Sequence, residues 1–347
     1  MKTCPQCGRV WADAMRFCPL DGAELPPARK SSSTGMVKKI TREETRLTRE
    51  QVLPPTASDD PMIGRVLEGK YRIQSKIGQG ATGAIYRAER INIGDCVAVK
   101  VLKPEFAEDY AAAERFRREA LALGRIRHPN VIAIYDYFEQ PSQADRPASI
   151  FLVMELLSGR TLRDVLRQEH VLDVRRTVRV LVQVCSALYV AHERNVIHRD
   201  LKPENIMVEQ YDRQNEVAKV IDFGLARLRM TGKLIKTLTE QGRVAGTPYY
   251  MAPEQWMDRP LNAQTDVYAL GIICYEMLTG RVPFNADTVM QLANKHVKVP
   301  PQPPIELRRD LPVGISQAIL RALAKQPQDR PATTLELADA LQQGLRS

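Results

Sequence analysis

Two short stretches of this chain concentrate side chains that can do chemistry. His198-Arg199-Asp200-Leu201-Lys202-Pro203-Glu204-Asn205 is followed a short way on by Asp222-Phe223-Gly224. Together they supply a carboxylate that can serve as a base, a positioning cation, and two oxygen-type ligands suited to Mg²⁺. Phosphoryl transfer from a Mg-nucleotide to a hydroxyl needs that combination, because its catalysis is mostly positioning and charge neutralisation. Each piece alone is weak, since an isolated Asp is more often a cap or turn residue.

The elements that must position these groups are written around them. Gly78-Gln79-Gly80-Ala81-Thr82-Gly83 lies between two alternating stretches, Tyr71 to Ile77 and Ala84 to Glu89. That pattern predicts a hairpin with a glycine-rich tip, where missing side chains let backbone N–H groups approach phosphates. A dinucleotide fold would instead place a helix directly after the glycines and an acidic residue about twenty positions on. Here a strand-like stretch follows and then Val97-Ala98-Val99-Lys100. An amphipathic helix is predicted from about Asp109 to Ile126, with Phe116, Ala120, Leu123 and Ile126 on one face and Glu119 directed at the Lys100 strand. A Lys100–Glu119 pair would hold the ammonium where nucleotide phosphates meet it. Ala252-Pro253-Glu254 and an apolar helix from near Thr265-Asp266 complete the series.

In this order the motifs resemble the eukaryotic-like, bacterial-type Ser/Thr protein kinase family over roughly residues 64 to 345. The resemblance implies an α+β, two-lobed protein-kinase fold over 64–347: a small β-rich N-lobe with one helix (64–155) and a large helical C-lobe (158–347). It also implies roles. Gly78, Gly80 and Gly83 would cover the phosphates of ATP, and Lys100, paired with Glu119, would hold the α- and β-phosphates. Asp200 would be the catalytic base, Lys202 would neutralise the transferred group, and Asn205 and Asp222 would bind Mg²⁺ (or Mn²⁺). Ile85, Ala98 and Met207 would sandwich the adenine, with Glu155 to Leu157 after Met154 as the hinge. Leu123, Ile134, His198 and Phe223 would stack into a packing column, which makes His198 a buried structural residue. His128 is expected to be a loop residue satisfied by backbone, and Glu254 to pair with Arg330.

Lys202-Pro203-Glu204 and Gly246-Thr247-Pro248-Tyr249-Tyr250 resemble the Ser/Thr class, so protein hydroxyls are the implied substrate and Thr247 part of the substrate platform. Arg199 is poised to receive a phosphate on the activation segment, with Thr237 and Thr239 as the expected autophosphorylation sites.

With 347 residues, 44% of them hydrophobic and 26% charged, the chain is long enough for a two-lobed domain and more. No apolar run approaches the roughly 18 residues of a membrane span, and the first residues lack a signal peptide's apolar core, so a cytoplasmic protein is expected whose sensing is done elsewhere. The net charge of +9 lies mostly in the kinase-like stretch, spread along its length without interleaved aromatics, which argues against nucleic acid as a partner. Residues 1–25 carry Cys4-Pro5-Gln6-Cys7-Gly8 and, ten intervening residues after Cys7, Cys18-Pro19-Leu20-Asp21. Cys4, Cys7, Cys18 and Asp21 form a zinc-ribbon-like ligand set for structural Zn²⁺ in a unit too small to fold on its core alone. A cysteine-bearing tail and a site completed by another chain, as in a homodimer, stay open beside it. Docking of a protein partner is the expected role of this unit. Residues 26–63, with two Pro-Pro pairs and Ser31-Ser32-Ser33-Thr34-Gly35, have the composition of a flexible linker.

Overall fold

In this computed structural model the described residues are 2–3, 10–11, 60–80, 82–141, 148–210, 216–223 and 247–346. The chain divides into two units, Met1–Ala57 and Ser58–Ser347. In the first, strands β1 (Lys2–Thr3) and β2 (Val10–Trp11) pair antiparallel, Lys2 opposite Trp11. Cys4, Cys7, Cys18 and Asp21, the expected zinc ligands, lie outside the described residues.

The second unit opens with a six-stranded antiparallel sheet. β3 (Val66–Leu67), β4 (Tyr71–Gln79), β5 (Gly83–Arg90), β6 (Cys96–Leu102), β7 (Ile134–Gln140) and β8 (Ser149–Glu155) run in the order β3-β4-β5-β6-β8-β7. Strand alternation sends successive side chains to opposite faces. Val97, Val99, Phe151 and Val153 therefore join Leu67, Ile73 and Tyr86 in one apolar layer. Ile150 and Leu152 turn the other way, onto Phe116 and Ala120 of helix α2 (Tyr110–Gly124). The sequence predicts one helix here, whereas the lobe has two: Pro104 at the first turn starts the short α1 (Pro104–Glu108), and Asp109, extended at ψ 98°, separates it from α2. Asp60 and Met62, on the linker side of the expected boundary, pack onto this lobe; Asp60 accepts from the Tyr86 hydroxyl at 3.0 Å, and Met62 lies against the apolar layer.

The remaining elements are mainly helical: α3 (Leu162–Glu169), α4 (Val174–His192), α5 (Pro253–Trp256), α6 (Ala263–Thr279), α7 (Val289–Lys298), α8 (Pro304–Leu307), α9 (Val313–Ala322) and α10 (Thr334–Gly344). Helix α6 is buried on every side from Thr265 to Leu278, as expected of a helix that is apolar all round. It begins at a capping Asn262, which accepts from Gln264 N at 3.0 Å, and ends on Gly280 at φ 73°. A small sheet, β9 (Arg160–Thr161), β10 (Ile206–Gln210) and β11 (Glu216–Val220), in the order β11-β10-β9, carries the loops that hold the two opening motifs. Two-lobed protein-kinase architecture is thus what the described residues adopt.

Candidate active site

Strand pairing fixes the upper wall of the cleft. Lys100 stands opposite Ile85 on β5 and Leu152 on β8, on the face away from the Val97–Val99 layer. Its side chain is buried, and Nζ donates to Asp222 Oδ1 at 2.8 Å. A buried ammonium requires such a partner. Ala98 and Met154 form a buried apolar cluster with Ile132, and Ile85, Leu156, Leu157 and Ile221 pack on it. Ile85, Ala98, Met154 and Leu157 were expected at the adenine; Met207, on β10, is not in that cluster. Glu155 closes β8, with its N–H donating to Ala133 O at 2.9 Å and its carboxylate held by Lys219 Nζ at 2.6 Å.

The glycine tip joins β4 and β5, with Gly80 N donating to Gly83 O at 2.8 Å. The glycines differ in why they are glycines. A Cβ on Gly83 would lie 2.0 Å from Val101 O, a contact no side chain can make, whereas a Cβ on Gly78 would meet nothing within 4 Å. Packing requires Gly83; at Gly78 and Gly80 a Cβ would meet no close contact, so packing does not require glycine there.

The lower wall is built on a mainly apolar helix that buries two carboxylates, Asp266 near its start and Glu276 near its end. Asp266 of α6 accepts from His198 N at 2.8 Å, from Arg199 N at 2.9 Å, and bonds His192 Nε2 at 2.7 Å. Burial alone would raise its carboxyl pKa, but His192 and His198 bring it below the ordinary carboxylate value. These bonds pin the 198–200 backbone, where Arg199 takes the left-handed φ of 67°. His198 is fully buried; Nε2 donates to Ile221 O at 3.0 Å, so Nδ1 is the acceptor for Asp200 N at 3.4 Å. It also packs on Phe223, ring centroids 4.9 Å apart, beside Leu123 and the half-buried Ile134. The four residues of the expected column are brought together.

Around the expected base, Lys202 Nζ donates to Asp200 Oδ2 at 2.8 Å, and Asn205 Nδ2 donates to Asp200 O at 2.8 Å. Asp200 Oδ1 is buried and has no hydrogen-bond partner among the described residues. Asp222, at φ 56°, turns its carboxylate toward the same cleft.

One expected contact is corrected. Among the described residues Lys100 pairs with Asp222 and not with Glu119, whose Oε1 accepts from Arg199 Nη1 at 3.2 Å. The left-handed turn at Asp222 delivers a carboxylate to the buried ammonium, while the pinned Arg199 offers Glu119 a guanidinium. Arg199, expected to await a phosphate, therefore already holds a carboxylate. Thr237 and Thr239 lie outside the described residues; Thr247 opens a 3₁₀ turn, Thr247–Tyr250, and its side chain also lies outside them. His128 departs from its expected backbone satisfaction in part, since Nε2 bonds Ser186 Oγ at 3.1 Å while Nδ1 accepts from Asn130 N at 3.2 Å. Glu254 and Arg330 pair as expected, through two bonds of 2.8 and 2.9 Å.

The anchoring role of Asp266 is not apparent from the motifs. Its signal was an acidic residue near the start of a mainly apolar helix, which must find donors to be buried. Gln255, whose side chain donates to Arg199 O at 2.8 Å and accepts from Ala252 N at 2.9 Å, gave no signal.

A family model described as a protein kinase domain matches residues 71–343, and this chain belongs to that family. Among curated proteins it is similar to the serine/threonine-protein kinase pkn3 of Myxococcus xanthus, 40% identical over 280 residues, covering 80% of this chain and 50% of that protein. It is also similar to the serine/threonine-protein kinase PknA of Mycobacterium tuberculosis, 36% identical over 281 residues, covering 81% of this chain and 62% of that protein. The chain spans about half the length of the curated relatives it matches. Among solved structures, the Mycobacterium tuberculosis PknI kinase domain aligns with a TM-score of 0.63 at 25% identity, covering 81% of this chain and 98% of that one. No helix among the described residues is long and apolar enough to cross a membrane.

Proposed function

We propose that this chain is a Ser/Thr protein kinase that transfers the γ-phosphoryl group of MgATP to Ser and Thr hydroxyls of proteins. The observation that carries the reading is Asp200: one carboxylate oxygen is held by Lys202, its backbone carbonyl is held by Asn205, and Oδ1 is left for a proton. The residues fit the metal nucleotide. Asn205 spends its amide N–H on Asp200, which directs its oxygen elsewhere, and with Asp222 it makes a hard-oxygen pair suited to Mg²⁺. When bound, MgATP supplies the electrophilic phosphoryl group. In this reading Asp200 orients the attacking hydroxyl and takes its proton, and Lys202 offsets charge on the transferred oxygens. Lys100 holds phosphate oxygens, and the cluster around Ala98 and Met154 excludes water from the adenine side.

The test is incorporation of labelled phosphate into a generic basic protein, followed by phosphoamino-acid analysis, with Asp200→Asn as control. Label on Ser and Thr that vanishes in the variant supports the reading; equal labelling by both refutes it. Regulation follows from Arg199. A phosphate on Thr237 or Thr239, carrying about −1.5 to −2 charges, would compete for the guanidinium that now holds Glu119 and free that carboxylate for Lys100. Residues 1–25 are proposed as a Zn²⁺-binding docking unit, 26–63 as its linker, and 64–347 as the kinase domain of a cytoplasmic signalling protein. Zinc measured in the full chain and lost in a Cys4→Ser/Cys7→Ser variant would support the first of these.

A further inference from the structure

Beside the Asp200 loop lies an acidic site that the chain fills with its own arginine. Arg163, the second residue of α3, reaches three groups at once. Nε donates to Glu204 Oε1 at 2.8 Å, Nη1 to Glu276 Oε1 at 2.7 Å, and Nη2 to the Tyr250 hydroxyl. The Tyr250 hydroxyl in turn donates to Glu276 Oε2 at 2.5 Å. Three different elements thus converge on one guanidinium: the 3₁₀ turn Pro203–Asn205, the turn Thr247–Tyr250, and the end of α6.

The position of this cluster gives it meaning. Glu204 is next to Asn205, which holds Asp200, and its side chain is 44% exposed, whereas that of Glu276 is 11% exposed. Tyr250 ends the turn just before Ala252, whose N–H is bound by the same Gln255 that grips Arg199 O. A peptide whose hydroxyl reaches Asp200 extends at about 3.3 Å per residue, so its near neighbours pass this surface. Two carboxylates and a tyrosine hydroxyl there make a guanidinium receptor, matching the planar fork of arginine. Such a receptor left unfilled would leave the buried Glu276 carboxylate with the Tyr250 hydroxyl and no counter-charge, which is costly.

We propose that Arg163 is a built-in occupant of this arginine subsite and so determines substrate specificity: it makes the enzyme indifferent to a basic residue near the phosphoacceptor. Removing it opens the receptor and turns the enzyme into one that selects arginine at one flanking position. The inference rests on the kinase reading above and names a specificity residue for that same site.

The test is a peptide scan in which arginine replaces alanine at each position flanking one Ser or Thr, with kcat/KM measured for the wild type, Arg163→Ala and Arg163→Ala/Glu204→Gln. The readout is the arginine-to-alanine ratio within each protein, which does not depend on overall activity. The wild type should stay within about twofold at every position, and Arg163→Ala should gain about tenfold to a hundredfold at one, as expected for a charged hydrogen-bonded contact. Adding Glu204→Gln should cut that gain. If Arg163→Ala does not fold, Arg163→Met and the wild type against Glu204→Gln alone serve the same end. A wild type that already selects arginine, and loses the selection in Glu204→Gln, overturns the proposal. So does a folded Arg163 variant with an unchanged scan. Failure of the wild type to phosphorylate any peptide overturns the parent reading instead.

Discussion

Glu254→Gln should be among the most damaging isosteric changes in the large lobe. Glu254 and Arg330 are buried, with side chains 3% and 0% exposed, and share two hydrogen bonds of 2.8 and 2.9 Å. Thr265 Oγ1 adds a bond of 2.9 Å to the same carboxylate. Replacing the carboxylate by an amide removes the counter-charge and leaves the shape. Arg330 keeps the carbonyls of Ala324, Gln264 and Lys325, at 2.7 to 3.0 Å, and the face of Tyr268, 4.8 Å from its guanidinium carbon. Those dipoles soften the loss without cancelling a full charge. Breaking a buried pair from one side costs about 3–5 kcal/mol, and the remaining carbonyls place this case near 3. At roughly 2–4 °C per kcal/mol for a large domain, Tm should fall by about 6–12 °C. Urea denaturation and calorimetry measure both quantities. Glu254→Leu/Arg330→Met, which removes both charges, should be less destabilised than the sum of its singles. A Glu254→Gln loss below about 1 kcal/mol would refute the reasoning, since it would mean that Arg330 needs no counter-charge.

Gly83→Ala should unfold readily, because its Cβ would sit 2.0 Å from Val101 O, while Gly78→Ala should melt like the parent yet bind MgATP more weakly; thermal melting and nucleotide titration check the pair. Burial first, and then Lys325, push the His296 imidazole down to about 3 from 6.5. The unfolded ring takes a proton that the folded ring refuses, so stability is lost as pH falls from 6.5 toward 3. His296→Phe, packed among Trp256, Tyr268 and Phe284, should lose less over that window in denaturation series, and equal loss would show that the imidazole is not responsible.

The site was legible where function and sequence proximity coincide. Asp200, Lys202 and Asn205 lie within six residues, so their backbone path alone brings them together. The sheet face carrying Lys100 follows from the alternation of Val97, Ala98 and Val99. Partner choice was not legible. A buried ammonium near two carboxylates takes whichever the backbone delivers, and the left-handed turn at Asp222, which gives Lys100 its partner, leaves no mark in composition. The same holds for Arg163. As one of a series of polar residues at the start of α3 it looks solvated, and only the folded arrangement brings Glu204, Tyr250 and Glu276 to it from distant parts of the chain. Helix α1 was missed because its five residues are too few to show a period.

As proposed, Asp200 is the base of a phosphoryl transfer whose nucleotide is held by other residues. Single-turnover transfer to a peptide, measured with MgATP affinity on Asp200→Asn, separates the two roles most directly. Transfer should slow by about 10²–10⁴ with affinity for MgATP kept within a few fold. Unchanged transfer, or loss of nucleotide binding as the main effect, would contradict it.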